Sequence, residues 1–295
     1  MKLFSKSIST LLVTVSLAVA GWSQQSVPLG QNAALQYWSA ISVIRDAGIS
    51  QQQATELNAI LDGSAAYDDS KYRDLLEKNR LALEVMARGT SIPNCDWGLD
   101  WGPGYEFGAA DLPMEYVRRA LVLGRLNVLY AFHLLKTGNR DAAVDRLAAG
   151  LKFSRDVANG GSLFAALVAK DLLASHLKAI SGAVQSGQLS AAQRSRLQVA
   201  IGQLGKGVDW QMAMKRDLES LRSISARTPQ ASAALTRVIS AYTAAMNDES
   251  MLPAVNKAIE ASPPDLAHVI PIPERVLEQR KQLNDTIQQV RSLLQ

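Results

Sequence analysis

The sequence contains a single cysteine, Cys95, among its 295 residues. An internal disulfide is therefore excluded, and the fold must be held together by its apolar core, which a chain of this length is large enough to form. A disulfide to a second molecule through Cys95 remains open. No pattern typical of a catalytic thiol surrounds this residue, so we interpret it as an ordinary thiol.

Blocks of like charge and long apolar runs are also missing. The formal net charge is +4, and it falls to +2 without the two lysines of the first six residues. Charges of both signs are mixed along the rest of the chain with no basic block, which argues against a nucleic-acid partner, because such partners need clustered Lys and Arg. The one marked apolar run, residues 11–20, is shorter than the roughly 20 residues that span a bilayer. We therefore predict no membrane span in the mature chain.

The N-terminal segment has the three parts of a secretory signal peptide. A basic start is followed by a short apolar stretch, which closes on the small-x-small sequence of residues 18–20. We predict that residues 1–20 are removed and that the mature chain begins at Gly21, in the periplasm or outside the cell. An uncleaved anchor is the alternative, and a lipoprotein signal is disfavoured because Gly21 stands where it needs a cysteine.

Recognisable catalytic and metal-binding signatures are absent. The sequence has no His-Glu-x-x-His, no phosphate-binding loop and no Gly-x-Ser-x-Gly. Its three histidines, His133, His176 and His268, lie far apart in the chain. We interpret them as core or groove residues with local hydrogen bonds rather than as metal ligands. The sequence thus predicts no catalytic set, no metal and no cofactor.

Helical periodicity fills most of the chain after residue 30. Apolar residues recur at spacings of three and four, and good helix formers dominate. Ser50 with Gln53, and Ser190 with Gln193, have the spacing of capping boxes, and Thr228 before Pro229 is typical of a helix start. The predicted helices cover residues 32–46, 50–61, 69–88, 113–136, 140–159, 162–184, 190–204, 208–226, 228–247, 252–260 and 273–295.

Four prolines in residues 263–273 predict a linker between a helical domain, residues 21–262, and a C-terminal amphipathic helix, residues 274–295. One face of that helix carries Val276, Arg280, Leu283, Ile287, Val290 and Leu294. We expect this face to dock on the body of the protein. A coiled-coil dimer seam is the alternative, but the repeat covers fewer than the three or four heptads that such a seam usually needs.

Residues 124–157 form the most informative predicted hairpin. Gly138 lies in its turn, Ala131 lies seven residues before this glycine, and Ala143 and Gly150 lie five and twelve residues after it. Small residues at these positions let two helices approach closely, and Leu147 fills the space beside them. The spacing resembles one tetratricopeptide repeat.

The resemblance covers one hairpin, about an eighth of the chain, and it departs from the repeat at two positions. Asn127 stands where the repeat has tryptophan, and Arg155 where it has its terminal proline. Residues 116–180 also look like uncharacterised exported bacterial α-helical proteins with no assigned activity. These likenesses imply an all-α fold of antiparallel helical hairpins, either a tetratricopeptide-like α-α superhelix or an irregular bundle, and they imply no reaction.

Residues 95–108 are the most unusual segment, with two Asp-Trp-Gly units, four aromatic residues, four glycines and three acids. One interpretation is a structural cap in which tryptophans close the end of the bundle. The other is a binding loop whose aromatic rings stack on a sugar ring or an apolar side chain while its acids accept hydrogen bonds. Calcium is disfavoured because the spacing matches no EF-hand. The candidate ligand-binding residues are Trp97, Asp100, Trp101, Tyr105 and Glu106.

Two function hypotheses follow from these patterns. The favoured one is an exported helical-repeat scaffold that binds an unidentified protein or peptide partner on a concave surface. The alternative is a cell-wall or polysaccharide-active enzyme that uses Asp100 or Glu106, although nothing in their spacing requires a glycosidase pair. An open cleft with an unpaired, partly buried carboxylate favours the enzyme, whereas packed tryptophans with surface acids favour the scaffold.

Overall fold

The computed structural model describes residues 29–45, 49–99, 111–205, 207–226 and 228–295. The predicted signal peptide, residues 1–20, lies outside the described residues. Four of the five candidate ligand-binding residues also lie outside them, namely Asp100, Trp101, Tyr105 and Glu106.

The fold is all-α and consists of packed antiparallel helix pairs, as predicted. Single 3-10 turns stand at Leu29–Gln31 and Glu249–Met251, and no strand occurs within the ranges given above. The helices are α1 (Ala33–Ser42), α2 (Gln51–Leu61), α3 (Asp69–Lys78), α4 (Arg80–Thr90), α5 (Asp111–Lys136), α6 (Arg140–Ala158), α7 (Leu163–Gln185), α8 (Ala191–Gly202), α9 (Trp210–Ser220), α10 (Arg222–Ser225), α11 (Pro229–Asn247), α12 (Leu252–Glu260), α13 (Pro264–Ala267) and α14 (Pro273–Leu294).

The predicted helix starts are confirmed at three caps. Ser50 and Ser190 each accept a hydrogen bond from the backbone N–H of the glutamine three residues later, and each glutamine side chain bonds back to the cap. Thr228 accepts from the backbone N–H of Ala231, and Pro229 occupies the first turn of α11. Local polar chemistry thus sets where α2, α8 and α11 begin.

The prediction of one continuous helix over residues 69–88 is wrong, because the chain breaks at Asn79 into α3 and α4. The Asn79 side chain is fully buried, donates to the Leu75 carbonyl and accepts the backbone N–H of Arg45. A long-range donor, the backbone N–H of Arg45, thus binds the Asn79 side chain and competes with helix continuation. The predicted helix over residues 208–226 divides in a similar way, into α9 and α10 at Leu221.

Helices α5, α6 and α7 form the centre of the molecule, with α6 packed against both of the others. Gly138, at φ +80°, makes the turn between α5 and α6. Ala131 and Ala143 are fully buried, and a Cβ on Gly150 would lie 2.0 Å from Nε2 of His176 on α7. Small residues at these positions therefore let the three helices approach closely.

His176 holds a polar network inside this core. Its Nδ1 lies 2.8 Å from the Leu172 carbonyl, which only accepts, so Nδ1 carries the proton. Its Nε2 then accepts from Nδ2 of Asn127 at 3.1 Å, and the same amide also donates to the Arg146 carbonyl. Complete burial lowers the pKa of His176 to about 4, so the ring is neutral at physiological pH. This agrees with the prediction of a core histidine with a local hydrogen bond.

Helix α14 docks on α7 and α8 through its predicted apolar face. The polar interruption in that face, Arg280, donates through Nη1 to the Met246 carbonyl at 2.6 Å and through Nη2 to Glu249 at 2.8 Å. Within residues 263–273, the side chains of Leu266 and Ile270 are buried against the body. The division of the chain into a domain, a linker and a terminal helix stays a prediction.

In the described part of the chain, no helix is both long enough and apolar enough to cross a membrane.

Candidate functional site

The segment before the undescribed residues 100–110 is fastened to the start of α1. Asn32, the N-cap of this helix, donates to the Asp96 carbonyl at 2.7 Å and accepts the Asp96 backbone N–H at 2.9 Å. The backbone N–H of Ala33 donates to the Asn94 carbonyl at 2.8 Å. Gly98, at φ +66°, then turns the chain, and its N–H is bound by the Asp96 carboxylate. These bonds fix the direction in which Trp97 leaves the backbone.

Trp97 is the centre of an aromatic cluster. Only 4% of its surface is exposed, and its ring centroid lies 4.5 Å from that of Tyr116 and 5.8 Å from that of Tyr37. Trp38 meets it edge-on at 5.7 Å, and Phe153 meets Tyr37 edge-on at 4.9 Å. Offset and edge-to-face contacts of this kind stabilise a core beyond the area that they bury. Trp97 is therefore packed as the cap interpretation requires.

Asp156, near the end of α6, places a buried carboxylate beside this cluster. Its backbone carbonyl accepts the Trp97 indole N–H at 2.7 Å, and the Cys95 thiol lies 3.8 Å from the same oxygen. Its carboxylate oxygen Oδ2 accepts from the Tyr37 hydroxyl at 2.7 Å and from Nζ of Lys152 at 2.5 Å. Asp156 is 1% exposed. Through these hydrogen bonds it joins α1 and the Trp97 segment to α6.

The groups around Asp156 are poor candidates for acid–base or nucleophilic chemistry. Burial and the Asp156 charge raise the pKa of Tyr37 far above its usual value, so its hydroxyl stays a donor. Burial also raises the pKa of the Cys95 thiol, with a further contribution from Asp156, and this leaves little of the reactive thiolate. The carboxylate itself is already paired with Lys152. We therefore interpret this cluster as a rigid support.

A cleft of about 830 Å³ opens beside this support. Its walls come from the segment that carries Trp97, from the C-terminal end of α6, and from the first turns of α9. Met212, 44% exposed, lies at its edge. The residues that line the cleft are Cys95, Asp96, Trp97, Gly98, Leu99, Arg155, Ala158, Asn159, Gly160, Gly161, Gly207, Asp209, Met212, Ala213 and Arg216.

Arginines and aspartates both line this cleft. Arg155 donates through Nη1 to the Gln203 carbonyl at 3.0 Å, and its Nη2 lies 3.6 Å from Oδ1 of Asp156. Arg216 lies so close to Gly161 that a Cβ there would be 2.1 Å from its Nη1. Asp96 and Asp209 are exposed, and each binds the backbone N–H of its own turn. The two arginines and the two aspartates of the lining therefore balance in formal charge. The aspartates are bound to backbone N–H groups, whereas the arginines use few of their donors on residues that the structure describes.

A second groove, of about 640 Å³, lies between α6 and α8. Ala148, Ala149 and Ala200 line it, and small side chains keep the groove open. Lys152 and Arg155 line it as well, so Arg155 borders both the groove and the cleft. The two depressions therefore adjoin at Arg155.

His133 belongs to a different place on the molecule. Its Nδ1 lies 2.5 Å from Oδ1 of Asp69, whose other oxygen accepts two hydrogen bonds from Arg73. Burial alone would raise the pKa of Asp69, but the bonds from His133 and Arg73 outweigh it and hold this pKa below its usual range. In the described part of the chain, no group of three or more His, Cys, Asp or Glu side chains has the geometry of a metal site.

Of the five predicted site residues, Trp97 is the one that the structure describes, and it lies at the wall of the cleft. The other four stay predictions. Sequence reasoning missed Asp156, Arg155 and Arg216. For Asp156 a signal existed, because it falls on the buried face of α6, between Phe153 and Val157, with Lys152 one turn before it. The two arginines stand in ordinary helical sequence, which carries no such signal.

Comparison with known proteins identifies no relative. No family model matches the chain, and no significant match was found among curated proteins or among solved structures.

Proposed function

We propose that this protein is an exported helical scaffold, built from tetratricopeptide-like hairpins, that binds a peptide segment of a partner protein in the cleft beside Trp97. The observation that supports this proposal is the hydrogen-bonded cluster around Asp156, which holds one side of the cleft in place. The walls of the cleft belong to three separate parts of the chain. Asp156 bonds the Trp97 segment to α6, and Asn32 bonds the same segment to the start of α1. The α9 wall is bonded separately, through Asp217, to the backbone N–H of Leu163 at the start of α7. A cleft held in this way is already formed before a ligand arrives, which lowers the entropic cost of binding.

The lining supports a peptide rather than a small rigid ligand. Apolar surface from Leu99, Met212 and Ala213 stands beside two guanidinium groups. The volume of about 830 Å³ lies within the roughly 300–1,000 Å³ of small-molecule sites, so the volume by itself does not select a peptide. The groove along α6 extends the depression, so an extended segment can continue beyond the cleft.

The proposal is tested by selecting displayed random peptides on the purified protein and then blocking the cleft. Met212→Trp places a large side chain at the cleft edge, on a residue whose exposure leaves the fold intact. We expect the selected peptides to bind this variant about tenfold more weakly or worse, because the added ring occupies their site. Affinities are measured by calorimetry.

Val199→Trp is the matched control, because Val199 is an exposed apolar residue on α8 and lies outside the cleft lining. Peptides that bind the cleft keep their affinity for this variant. If both variants bind every selected peptide as the unsubstituted protein does, the cleft is not the binding site and the proposal fails.

The enzyme alternative depends on Asp100 and Glu106, which lie outside the described residues. The acid of the same segment that the structure describes, Asp96, is exposed and caps its own turn. No observation on the described residues favours this alternative.

A further inference from the structure

We infer that the bound peptide is recognised through a carboxylate, held in the cleft by the guanidinium groups of Arg155 and Arg216. This inference rests on the proposed function, and it assigns the chemistry of the partner. The shared chemistry is a carboxylate next to an apolar side chain, supplied either by the peptide C-terminus or by an Asp or Glu side chain.

Arg216 places a positive charge, unpaired among the described residues, at the wall of the cleft. It lies in α9, is partly buried, and forms no hydrogen bond or ion pair with any residue that the structure describes. The neighbouring acid, Asp217, accepts the backbone N–H of Leu163 at 3.1 Å and so caps α7 instead. The guanidinium lies against Gly161, which brings it to the cleft wall without a side chain in between.

Arg155 lines the same cleft and has hydrogen-bond donors that no described residue uses. A guanidinium has five N–H donors, and the structure shows one hydrogen bond from this one, to the Gln203 carbonyl at 3.0 Å. Nη2 of Arg155 lies 3.6 Å from Oδ1 of Asp156, which is close enough for an ion pair but not for a hydrogen bond, and Lys152 and Tyr37 bind the other oxygen, Oδ2. Donors of Arg155 therefore remain for a ligand in the cleft.

The acids of the cleft do not satisfy these arginines. Asp96 binds the N–H of Gly98, Asp209 binds the N–H of Met212, and neither forms an ion pair with either guanidinium. A planar guanidinium presents a donor fork that matches the two oxygens of a carboxylate. The adjacent Leu99 and Met212 give the apolar part of the same ligand a surface to contact.

The test uses three libraries of random N-acetylated hexapeptides on the full chain. The first has a free C-terminal carboxylate and no acidic residues, the second is amidated and carries one Glu, and the third is amidated without acids. Enrichment is read by mass spectrometry, and the affinities of enriched peptides are measured by calorimetry. We expect enrichment from the first or the second library, which identifies the source of the carboxylate, and none from the third.

Substitutions then locate the carboxylate. Arg216→Gln should weaken binding of the enriched peptides about tenfold or more, because it removes a charge-assisted hydrogen bond. Arg155→Gln should act in the same direction, with circular dichroism confirming the fold. Lys215→Gln is the matched control, since it removes the same charge from the neighbouring exposed residue and should leave affinity within about twofold.

Two results overturn the inference, and they can be told apart. Equal enrichment of the third library, with affinities that Arg216→Gln does not change, leaves the cleft as a peptide site and removes the carboxylate. Absence of binding from all three libraries contradicts the proposed function as well.

Discussion

The indole N–H of Trp97 donates a 2.7 Å hydrogen bond to the backbone carbonyl of Asp156, a residue 59 positions later in the chain. This bond joins the irregular segment after α4 to the end of α6, and it does so inside the aromatic cluster. Both ends are buried, at 4% and 1% exposure. The wall of the cleft therefore depends on a contact that has no local origin in the sequence.

Replacing Trp97 by alanine should lower the free energy of unfolding by about 3–5 kcal/mol, because a large buried ring and its hydrogen bond are both lost. Urea unfolding followed by circular dichroism measures this loss. Trp38→Ala is the control, since Trp38 touches the same cluster but is 37% exposed, and it should cost less. An unchanged urea midpoint for Trp97→Ala would contradict the structural role assigned to this residue.

Gly150→Ala should destabilise the protein strongly, although alanine is the better helix former. The added Cβ would lie 2.0 Å from Nε2 of His176 and 2.7 Å from Nδ2 of Asn127, so the buried network must move. Gly182→Ala is the matched control, because Gly182 lies within α7 and nothing stands within 4 Å of the position that its Cβ would take. It should stabilise by up to about 1 kcal/mol. Equal effects of the two substitutions in thermal unfolding would refute the close approach of α6 and α7.

The contribution of His176 to stability should fall as the pH drops from about 6.5 towards 4, because the pKa of His176 is lowered to about 4 by burial. Asp217, whose pKa burial raises, contributes in the opposite direction, so the His176 component is isolated by substitution. Above this window His176 is neutral in both states. Within it the unfolded chain binds a proton that the folded protein excludes, so each pH unit costs up to about 1.4 kcal/mol. The low pKa of Asp69 acts at a pH below this window.

His176→Gln should remove this component of the pH slope, which is measured by urea unfolding at pH 7, 6 and 5. His268→Gln, at an exposed position, should retain it. Identical slopes for both variants would mean that His176 is not held neutral in the core.

The predicted signal peptide leads to a direct measurement. Expression in a bacterium with the export machinery, followed by intact-mass analysis of the exported fraction, should give a chain that begins at Gly21. Cleavage is expected there because residues 18–20 carry the small-x-small pattern. Detection of the chain with Met1 retained in that fraction would contradict the cleavage site.

The parts of the fold that the sequence predicted are those with local causes. Capping boxes at Ser50 and Ser190 depend on residues three positions apart, so the helix starts could be identified directly. The break at Asn79 depends on the backbone N–H of Arg45, 34 positions away, and no local pattern announces it. Asp156 has a local signal in its place on the buried face of α6, but its partners Tyr37 and Trp97 come from distant segments, and no local pattern identifies them.

Arg280 gives α14 a defined axial position. The apolar residues of this helix alone would permit it to slide by a heptad along α7 and α8, because one aliphatic contact can replace another at similar cost. The hydrogen bonds from Arg280 to the Met246 carbonyl and to Glu249 exist in one alignment only. Arg291 of the same helix also donates to the Ile201 carbonyl of α8, at 3.2 Å. Polar residues beside an apolar seam thus select one register, much as a buried asparagine does in a coiled coil. Helix α14 therefore keeps a fixed axial position relative to the end of α11, and the two helices must move together.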